Sequence, residues 1–420
     1  MLIWLRTHFG KSFVGNISAL TVAHAINVAL PLLMIPFLAR TLGPDGFGVV
    51  ALAQSFGFYI TRVVEFGFDF TGAREVARHR SDPVALGRVL GGVMGSKALL
   101  TVLALGLAAL GAWIVPPFRE NPAVFWSGFL WGLGLALSMI WYFQGLELMT
   151  RAVFADLAFK AAAAVGTVLA VDHPGDAWLY LAFHGVATLA AAGVGLALAW
   201  RVSKPVVPSL TSIFRILADS FAMFLFRLSE GLYTVGTPFL LGLLAPPSLV
   251  GYLAGADRIA RAATRLIAPI GVAVFPHVSH LAHQSRSAAA ATGRATLLLF
   301  VSVGFAISLV LLAFTPLIVD VLLGPDFERS RISLQILALL PLVSACSHAL
   351  GYQWMVPLGL DRPFVAIAFA TGLLHVLLAI LLVSVWDDLG MAVAILATEA
   401  IGVVAIFAVL RIRRLDPFSL

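Results

Sequence analysis

The chain has 420 residues, of which 60% are hydrophobic and only 11% are charged. A water-soluble protein carries about 25% charged residues, so this composition predicts an integral membrane protein rather than a soluble one. The formal net charge is +6, and the single cysteine, Cys346, excludes an internal disulfide.

Apolar runs of about 20 residues recur along the chain, each long enough to cross a hydrocarbon core of about 30 Å. They predict an all-α polytopic membrane protein with about twelve transmembrane helices, separated by short segments rich in Gly and Pro. In chain order the predicted spans are 13–38, 46–70, 89–115, 123–146, 152–171, 177–200, 214–244, 249–276, 294–323, 332–357, 364–386 and 390–410.

The basic residues between the spans predict the orientation, because Lys and Arg accumulate in cytoplasmic loops. The side opposite the termini carries only Arg40, Arg119, Arg329 and Arg331. The side of the termini carries many more, including Arg74, Arg78, Arg80, Arg88, Arg201, Lys204, Arg215, Arg294, Arg362, Arg411, Arg413 and Arg414. We therefore expect both termini in the cytoplasm. This asymmetry accounts for most of the positive net charge, so a nucleic-acid partner is not needed.

A shift of 203 positions brings similar residues of the two halves into register. Among the aligned pairs are Gly48 with Gly251 and Arg62 with Arg265. Six spans per half place the start of both halves on the same side of the membrane. This predicts a parallel repeat with a substrate site between two six-helix lobes, residues 1–205 and 206–420.

Seven basic side chains lie within the predicted spans, where a charge costs at least about 2.5–3.5 kcal/mol and needs a partner or a hydrated cavity. We expect them to contact an anionic substrate, because arginine forks match phosphate oxygens. They are Arg62, Lys97, Lys160, Arg227, Arg258, Arg261 and Arg265. The acidic residues that accompany them are candidates for ion coupling or gating, namely Glu65, Asp69, Glu230 and Asp257.

The same spacing also permits structural ion pairs, and the sequence leaves this alternative open. Residues three or four apart share a helical face. The pairs that this spacing permits are Arg62 with Glu65, Arg227 with Glu230, Lys160 with Asp156, and Arg261 with Asp257. Lys97 has no acidic neighbour in its helix, so it either faces a cavity or extends toward the cytoplasm.

Two segments carry a resemblance to a known family. The first runs from Leu42-Gly43-Pro44-Asp45-Gly46-Phe47-Gly48 through Ala53-Gln54 and Glu65-Phe66-Gly67-Phe68 to Ala73-Arg74-Glu75-Val76-Ala77. The second is Trp141-Tyr142-Phe143-Gln144-Gly145-Leu146-Glu147, which looks like the family segment Trp-x-Phe-Gln-Gly-x-Glu. Both segments resemble those of Wzx-type polysaccharide flippases, which serve O-antigen and exopolysaccharide synthesis. The basic residue that often follows the family glutamate arrives later here, at Arg151.

The resemblance implies the fold of the multidrug/oligosaccharidyl-lipid/polysaccharide exporter superfamily, with two six-helix lobes in a V around a central cavity. It implies a transporter in the bacterial inner membrane, not an enzyme, that flips a polyprenyl-pyrophosphate-linked oligosaccharide from the cytoplasmic to the periplasmic leaflet. It also implies coupling to H⁺ or Na⁺ without a further cofactor. The partners would be this lipid-linked oligosaccharide, membrane lipids, and a glycan polymerase or other assembly proteins.

Two other functions remain open at this point. A cation-coupled multidrug exporter of the same superfamily would carry cationic cargo, and the excess of basic residues argues against it. A polytopic glycan polymerase or ligase would usually hold its catalytic groups on a substantial periplasmic loop. The longest outward connector here has about eight residues.

Overall fold

The computed structural model describes residues 2–284 and 286–418. Within them it describes all side chains except those of 2–25, 27–28, 151, 229–230, 232–234, 273, 277 and 282–289. The described residues are almost entirely helical and contain no β-strand. The chain divides into two compact units. Unit 1 comprises Met1–Leu42 and Leu52–Gly231, and unit 2 comprises Gly43–Ala51 and Leu232–Leu420. The two lobes predicted from the sequence, 1–205 and 206–420, remain a prediction.

Up to residue 235 the described residues form nine helices. They are α1 Leu2–Glu65, α2 Phe68–Arg78, α3 Pro83–Ile114, α4 Pro116–Glu120, α5 Pro122–Ala136, α6 Ile140–Gly145, α7 Met149–Ala170, α8 Ala177–Val202 and α9 Leu210–Thr234. The following helices are α10 Thr237–Leu244, α11 Pro247–Thr264, α12 Ala268–Gln284, α13 Arg286–Ala313, α14 Thr315–Leu322, α15 Ser330–Leu337, α16 Leu340–Ser347 and α17 Asp361–Ile412. A π-helical segment, His348–Met355, extends α16.

All twelve predicted spans fall on helices, although the number of continuous crossing helices is smaller. In the described part of the chain eight helices are long and apolar enough to cross a membrane, or up to nine if one bent pair counts as a span. Two of the four missing spans are accounted for because α1 and α17 each contain two predicted spans. Of the other two, 249–276 corresponds to the bent pair, and 214–244 is divided between α9 and α10. The 52 residues of α17 form two helical halves, each long enough to cross the hydrocarbon core. Its two halves meet at Asp387, whose φ of 51° is not helical.

α1 and α11 approach each other closely at two glycines that the repeat had aligned. A Cβ atom on Gly48 would lie 1.8 Å from the carbonyl oxygen of Pro247, and one on Gly251 would lie 2.0 Å from that of Pro44. The two contacts are reciprocal, because Pro44 and Pro247 are also 203 positions apart. A two-fold relation between the segments produces such a self-complementary contact.

A helix break next to the candidate site follows from the segment Glu65-Phe66-Gly67. Phe66 has a φ of 50° and Gly67 a φ of 81°, so α1 ends at Glu65 and α2 begins in a new direction. Glycine adopts this left-handed conformation readily. At Gly67 it also leaves room for Met223, whose Cβ would lie only 2.8 Å from an added methyl.

Phe66, in the break, and Thr71, in the first turn of α2, both contact α9. The rings of Phe66 and Phe224 stack at 4.4 Å between centroids, and the hydroxyls of Thr71 and Ser220 lie 2.8 Å apart. The break and this contact bring Asp69 of α2 toward α9.

α3 begins at a charged N-cap. One carboxylate oxygen of Asp82 accepts hydrogen bonds from the backbone N–H groups of Val84 and Ala85, at 2.9 and 3.1 Å. Pro83 is the first residue of the helix, a position where the missing N–H of proline costs nothing. The hydrogen bond from Ala85, and after it the one from Val84, holds the pKa of Asp82 below its ordinary value.

Candidate functional site: a polar cavity in unit 1

A cavity of about 320 Å³ lies within unit 1. It is bounded by α1, α2, α5, α6, α7 and α8, and it is large enough to hold several water molecules. Its wall is mixed, with aromatic, hydroxyl and amide side chains beside the charged groups. The charged residues of the wall are Arg62, Glu65, Asp69, Asp156 and Lys160.

The helix break places two ion pairs at this cavity. Arg62 Nη1 lies 3.3 Å from Glu65 Oε2 within α1. Arg227 of α9 donates a hydrogen bond through Nη2 to Asp69 Oδ2 of α2. Both side chains of this second pair are 21% exposed, and the guanidinium carbon of Arg227 also lies 4.7 Å from the ring centre of Phe70. Asp69 and Arg227 are 158 positions apart, so no helical spacing could have predicted this pair.

The third ion pair is the one that the i, i+4 spacing in α7 predicted. Lys160 Nζ lies 2.6 Å from Asp156 Oδ2, and both residues line the cavity. The predicted pairing is confirmed.

Lys97 of α3 is buried behind the cavity wall. Its side chain is 1% exposed and Nζ donates a hydrogen bond to the carbonyl oxygen of Ala136 at 2.5 Å. Nζ also lies 5.8 Å from the ring centre of Trp141, which lines the cavity. The alternative that Lys97 extends into the cytoplasm is therefore wrong. No carboxylate lies within ion-pairing distance of it in the described chain.

The charges of this site act on one another. Glu65 interacts electrostatically with Asp69 and with three cations, Lys97, Arg62 and Arg227. Each of the three carboxylates described above, Glu65, Asp69 and Asp156, pairs with a cation. Among the described residues of this site, Lys97 adds one further positive charge. The side chain of Glu230 lies outside the described residues, so its predicted pairing with Arg227 stays a prediction.

Three polar atoms of the wall have no hydrogen-bond partner among the described residues. They are Arg62 Nε, Trp141 Nε1 and Asp69 Oδ1. An unsatisfied buried polar atom costs about 1–3 kcal/mol. Two donors and one acceptor at one cavity can be satisfied by water or by the oxygens and hydroxyls of a sugar or phosphate.

Three of the predicted basic residues, Arg258, Arg261 and Arg265, belong to unit 2 and do not line this cavity. Arg261 Nε donates to both oxygens of Asp257 at 2.8 Å, which confirms the predicted i, i+4 pair. The guanidinium of Arg258 stacks 4.7 Å from the ring centre of Phe47. Arg265 follows the end of α11, in a 3₁₀ turn, and is exposed. Their predicted contact with substrate stays a prediction.

Several wall residues carry no charge and no sequence pattern selected them as candidates. Ser138, between α5 and α6, and Thr188 of α8 are examples. Trp141 and Gln144 could have been found, since both belong to the second family-like segment and both line the cavity.

A helical bundle with charged residues at a cavity among membrane-spanning helices is the architecture of a membrane transporter. Solved transporters share the fold. The lipid II flippase MurJ in an inward closed conformation matches with a TM-score of 0.69 over 95% of this chain and 90% of its own, at 14% identity. An inward-facing multidrug resistance transporter of the MATE family, in the MOP superfamily, matches with a TM-score of 0.68 over 95% and 98%, at 12% identity. The predicted all-α polytopic transporter fold is confirmed.

The sequence comparisons identify the family. Residues 13–282, more than half of the chain, match the family "Polysaccharide biosynthesis protein". A protein of Escherichia coli (strain K12) named "Putative O-antigen transporter" is 30% identical over 92% of this chain and 94% of its own. One of Shigella dysenteriae with the same name is 27% identical over 92% and 97%. The chain belongs to the polysaccharide biosynthesis protein family. It is a multi-pass membrane transporter and not an enzyme, as the resemblance implied.

Proposed function

We propose that this protein flips a polyprenyl-pyrophosphate-linked oligosaccharide from the cytoplasmic to the periplasmic leaflet of the bacterial inner membrane. The O-antigen transporters among its relatives support a lipid-linked glycan as cargo. Ion-coupled alternating access would drive the flipping, with both termini in the cytoplasm.

The unsatisfied polar atoms of the unit 1 cavity carry this proposal. Arg62 Nε and Trp141 Nε1 are donors directed to glycan or pyrophosphate oxygens, and Asp69 Oδ1 accepts from a sugar hydroxyl. Lys97, buried behind Trp141, adds the positive charge that favours an anionic head group. In a low-dielectric surrounding such charge-assisted hydrogen bonds are strong.

The test is complementation of a strain that lacks the gene, with surface glycan and lipid-linked glycan in the inner leaflet measured separately. Arg62→Ala removes a cavity donor and should reduce surface glycan at least about tenfold, the effect of losing about 1.4 kcal/mol of binding. The lipid-linked intermediate should accumulate. Arg78→Ala is the matched control, because Arg78 is an exposed arginine of α2 that pairs only locally with Glu75. Normal export by Arg62→Ala at wild-type expression would contradict the proposal.

A cationic cargo is the second candidate, because the cavity wall itself holds three carboxylates and two basic side chains. Arg227, paired with Asp69, and Lys97 behind the wall offset this excess. A multidrug exporter would leave the deletion strain sensitive to cationic drugs with normal surface glycan. The glycan flippase predicts the reverse.

A further inference from the structure

The fourth predicted span, 123–146, is broken where it borders the cavity of unit 1. It consists of α5, which ends at Ala136, and α6, which begins at Ile140. In a continuous α-helix the Ile140 N–H would donate to the Ala136 carbonyl, four residues before it. Here the Ile140 N–H instead donates to the hydroxyl of Ser138, at 3.4 Å. The break therefore removes the partner that the Ala136 carbonyl would have within a helix.

Lys97 of α3 supplies the hydrogen bond that the break removes. Its Nζ donates to the carbonyl oxygen of Ala136 at 2.5 Å. Ala136 is 0% exposed and Lys97 is 1% exposed, so bulk water cannot replace this contact. A buried carbonyl needs a partner, and the carbonyl end of a helix also attracts positive charge. The Lys97 side chain thus caps the end of α5.

The break determines which side chains reach the cavity. Four consecutive residues, Ser138, Met139, Ile140 and Trp141, all line it. Successive residues of an α-helix are rotated by about 100°, so four of them point in all directions around the axis. A continuous helix would therefore turn part of this set away from the cavity. The cap at Ala136 stabilises the conformation that presents all four.

Trp141 is held by the same lysine and by a glycine of α2. Lys97 Nζ lies 5.8 Å from the centre of the Trp141 ring, within the range of a cation–π contact. A Cβ atom on Gly72 would lie 2.8 Å from two ring carbons of Trp141, so the ring packs directly on the backbone of α2. These contacts fix the ring while its Nε1 has no hydrogen-bond partner among the described residues. That nitrogen is the donor that the proposed function uses.

We propose that Lys97 is a positioning residue, which caps α5 at the break and thereby holds Ser138 and Trp141 at the cavity wall for contact with the glycan head group. This role does not require Lys97 itself to touch the cargo. The proposal rests on the proposed function for the identity of the cargo, whereas the capping of α5 is independent of it.

Capping is tested first, without any cargo. Hydrogen–deuterium exchange is measured by mass spectrometry on the full chain in lipid nanodiscs, for the wild type and for Lys97→Met, which removes the donor and the charge. Exchange within residues 133–145 should become at least about tenfold faster, the effect of losing one hydrogen bond from a charged group. Lys160→Met is the matched control, because it removes a cation of the same cavity whose partner, Asp156, lies on its own helix. It should leave exchange within 133–145 unchanged, and equal exchange in the wild type and Lys97→Met would overturn the proposal.

A second variant separates the hydrogen bond from the charge. Lys97→Gln carries a neutral N–H donor on a side chain one bond shorter, and it also serves if Lys97→Met does not accumulate in the membrane. We expect its exchange within 133–145 to lie between those of the wild type and Lys97→Met. If Lys97 acted by charge alone, Lys97→Gln would be as defective as Lys97→Met, which would refute capping.

Transport is tested by complementation of a strain that lacks the gene. Lys97→Met should lose surface glycan and accumulate the lipid-linked intermediate, and Lys97→Gln should recover part of the export. Normal export by Lys97→Met at wild-type expression would refute the positioning role. A deletion strain with normal surface glycan would refute the proposed function, and the exchange measurement would still decide whether Lys97 caps α5.

Discussion

Single residues show how this chain tolerates charged side chains within its membrane-spanning helices. Arg62, Lys160 and Arg261 each pair with a carboxylate three or four residues away on the same helix. These pairs were readable from spacing, because helical geometry fixes which side chains are neighbours. The pair of Asp69 with Arg227 was not, because packing between α2 and α9 brings the two residues together.

A double-mutant cycle on Asp69 and Arg227 separates pairing from substrate contact. Arg227→Ala leaves the Asp69 carboxylate partly buried without its partner, so it should lower stability. Arg227→Ala with Asp69→Asn should recover much of the loss, with a coupling energy of about 1–3 kcal/mol. Thermal unfolding in detergent measures the stability, and complementation measures the export.

The two readouts distinguish the roles of Arg227. If either residue of the pair contacts the head group, the double variant regains stability and still fails to export glycan. Recovery of both properties would show that Arg227 serves only to neutralise Asp69. Lys204→Ala, an exposed basic residue between α8 and α9, controls for the loss of one positive charge.

Among the elements, glycines decide where helices break and how closely they cross. Gly67 permits the break that separates Glu65 from Asp69, and the break orients α2 toward α9. Gly48 and Gly251 allow α1 and α11 to touch through their backbones. The repeat had aligned these last two glycines, but only the structure shows that they touch each other.

Gly48→Ala tests the crossing of α1 and α11. The added methyl would overlap the Pro247 carbonyl, and overpacking of this kind costs about 1–3 kcal/mol or more. We expect a lower unfolding temperature and less folded protein in the membrane. Gly106→Ala in α3 is the matched control, because nothing lies within 4 Å of the position that its Cβ would take. Equal stability of the two variants would contradict the close crossing.

At the scale of the whole molecule, the distribution of basic residues predicts an orientation that contacts within the protein do not reveal. Arg88 of α3 lies on the side predicted to be cytoplasmic, and Arg119 of α4 lies on the opposite side. The positive-inside rule depends on the membrane and its insertion machinery rather than on packing.

Cysteine labelling tests this orientation. In a Cys346→Ser background, Arg119→Cys should react with a membrane-impermeant maleimide in intact cells, whereas Arg88→Cys should react only after the inner membrane is permeabilised. Labelling is read by gel shift, with the cysteine-free chain as the control. Reaction of Arg88→Cys alone in intact cells would reverse the predicted topology.

The sequence alone determined the membrane class, the helical positions of all twelve predicted spans and the ion pairs that spacing within a helix permits, because hydrophobic length and helical periodicity are properties of neighbouring residues. The tertiary structure decided what depends on residues far apart: the contact of Asp69 with Arg227, the burial of Lys97 against Ala136, and the packing of Trp141 on Gly72. Such contacts form only when helices pack, and their energies depend on distance and burial that no spacing along the chain encodes.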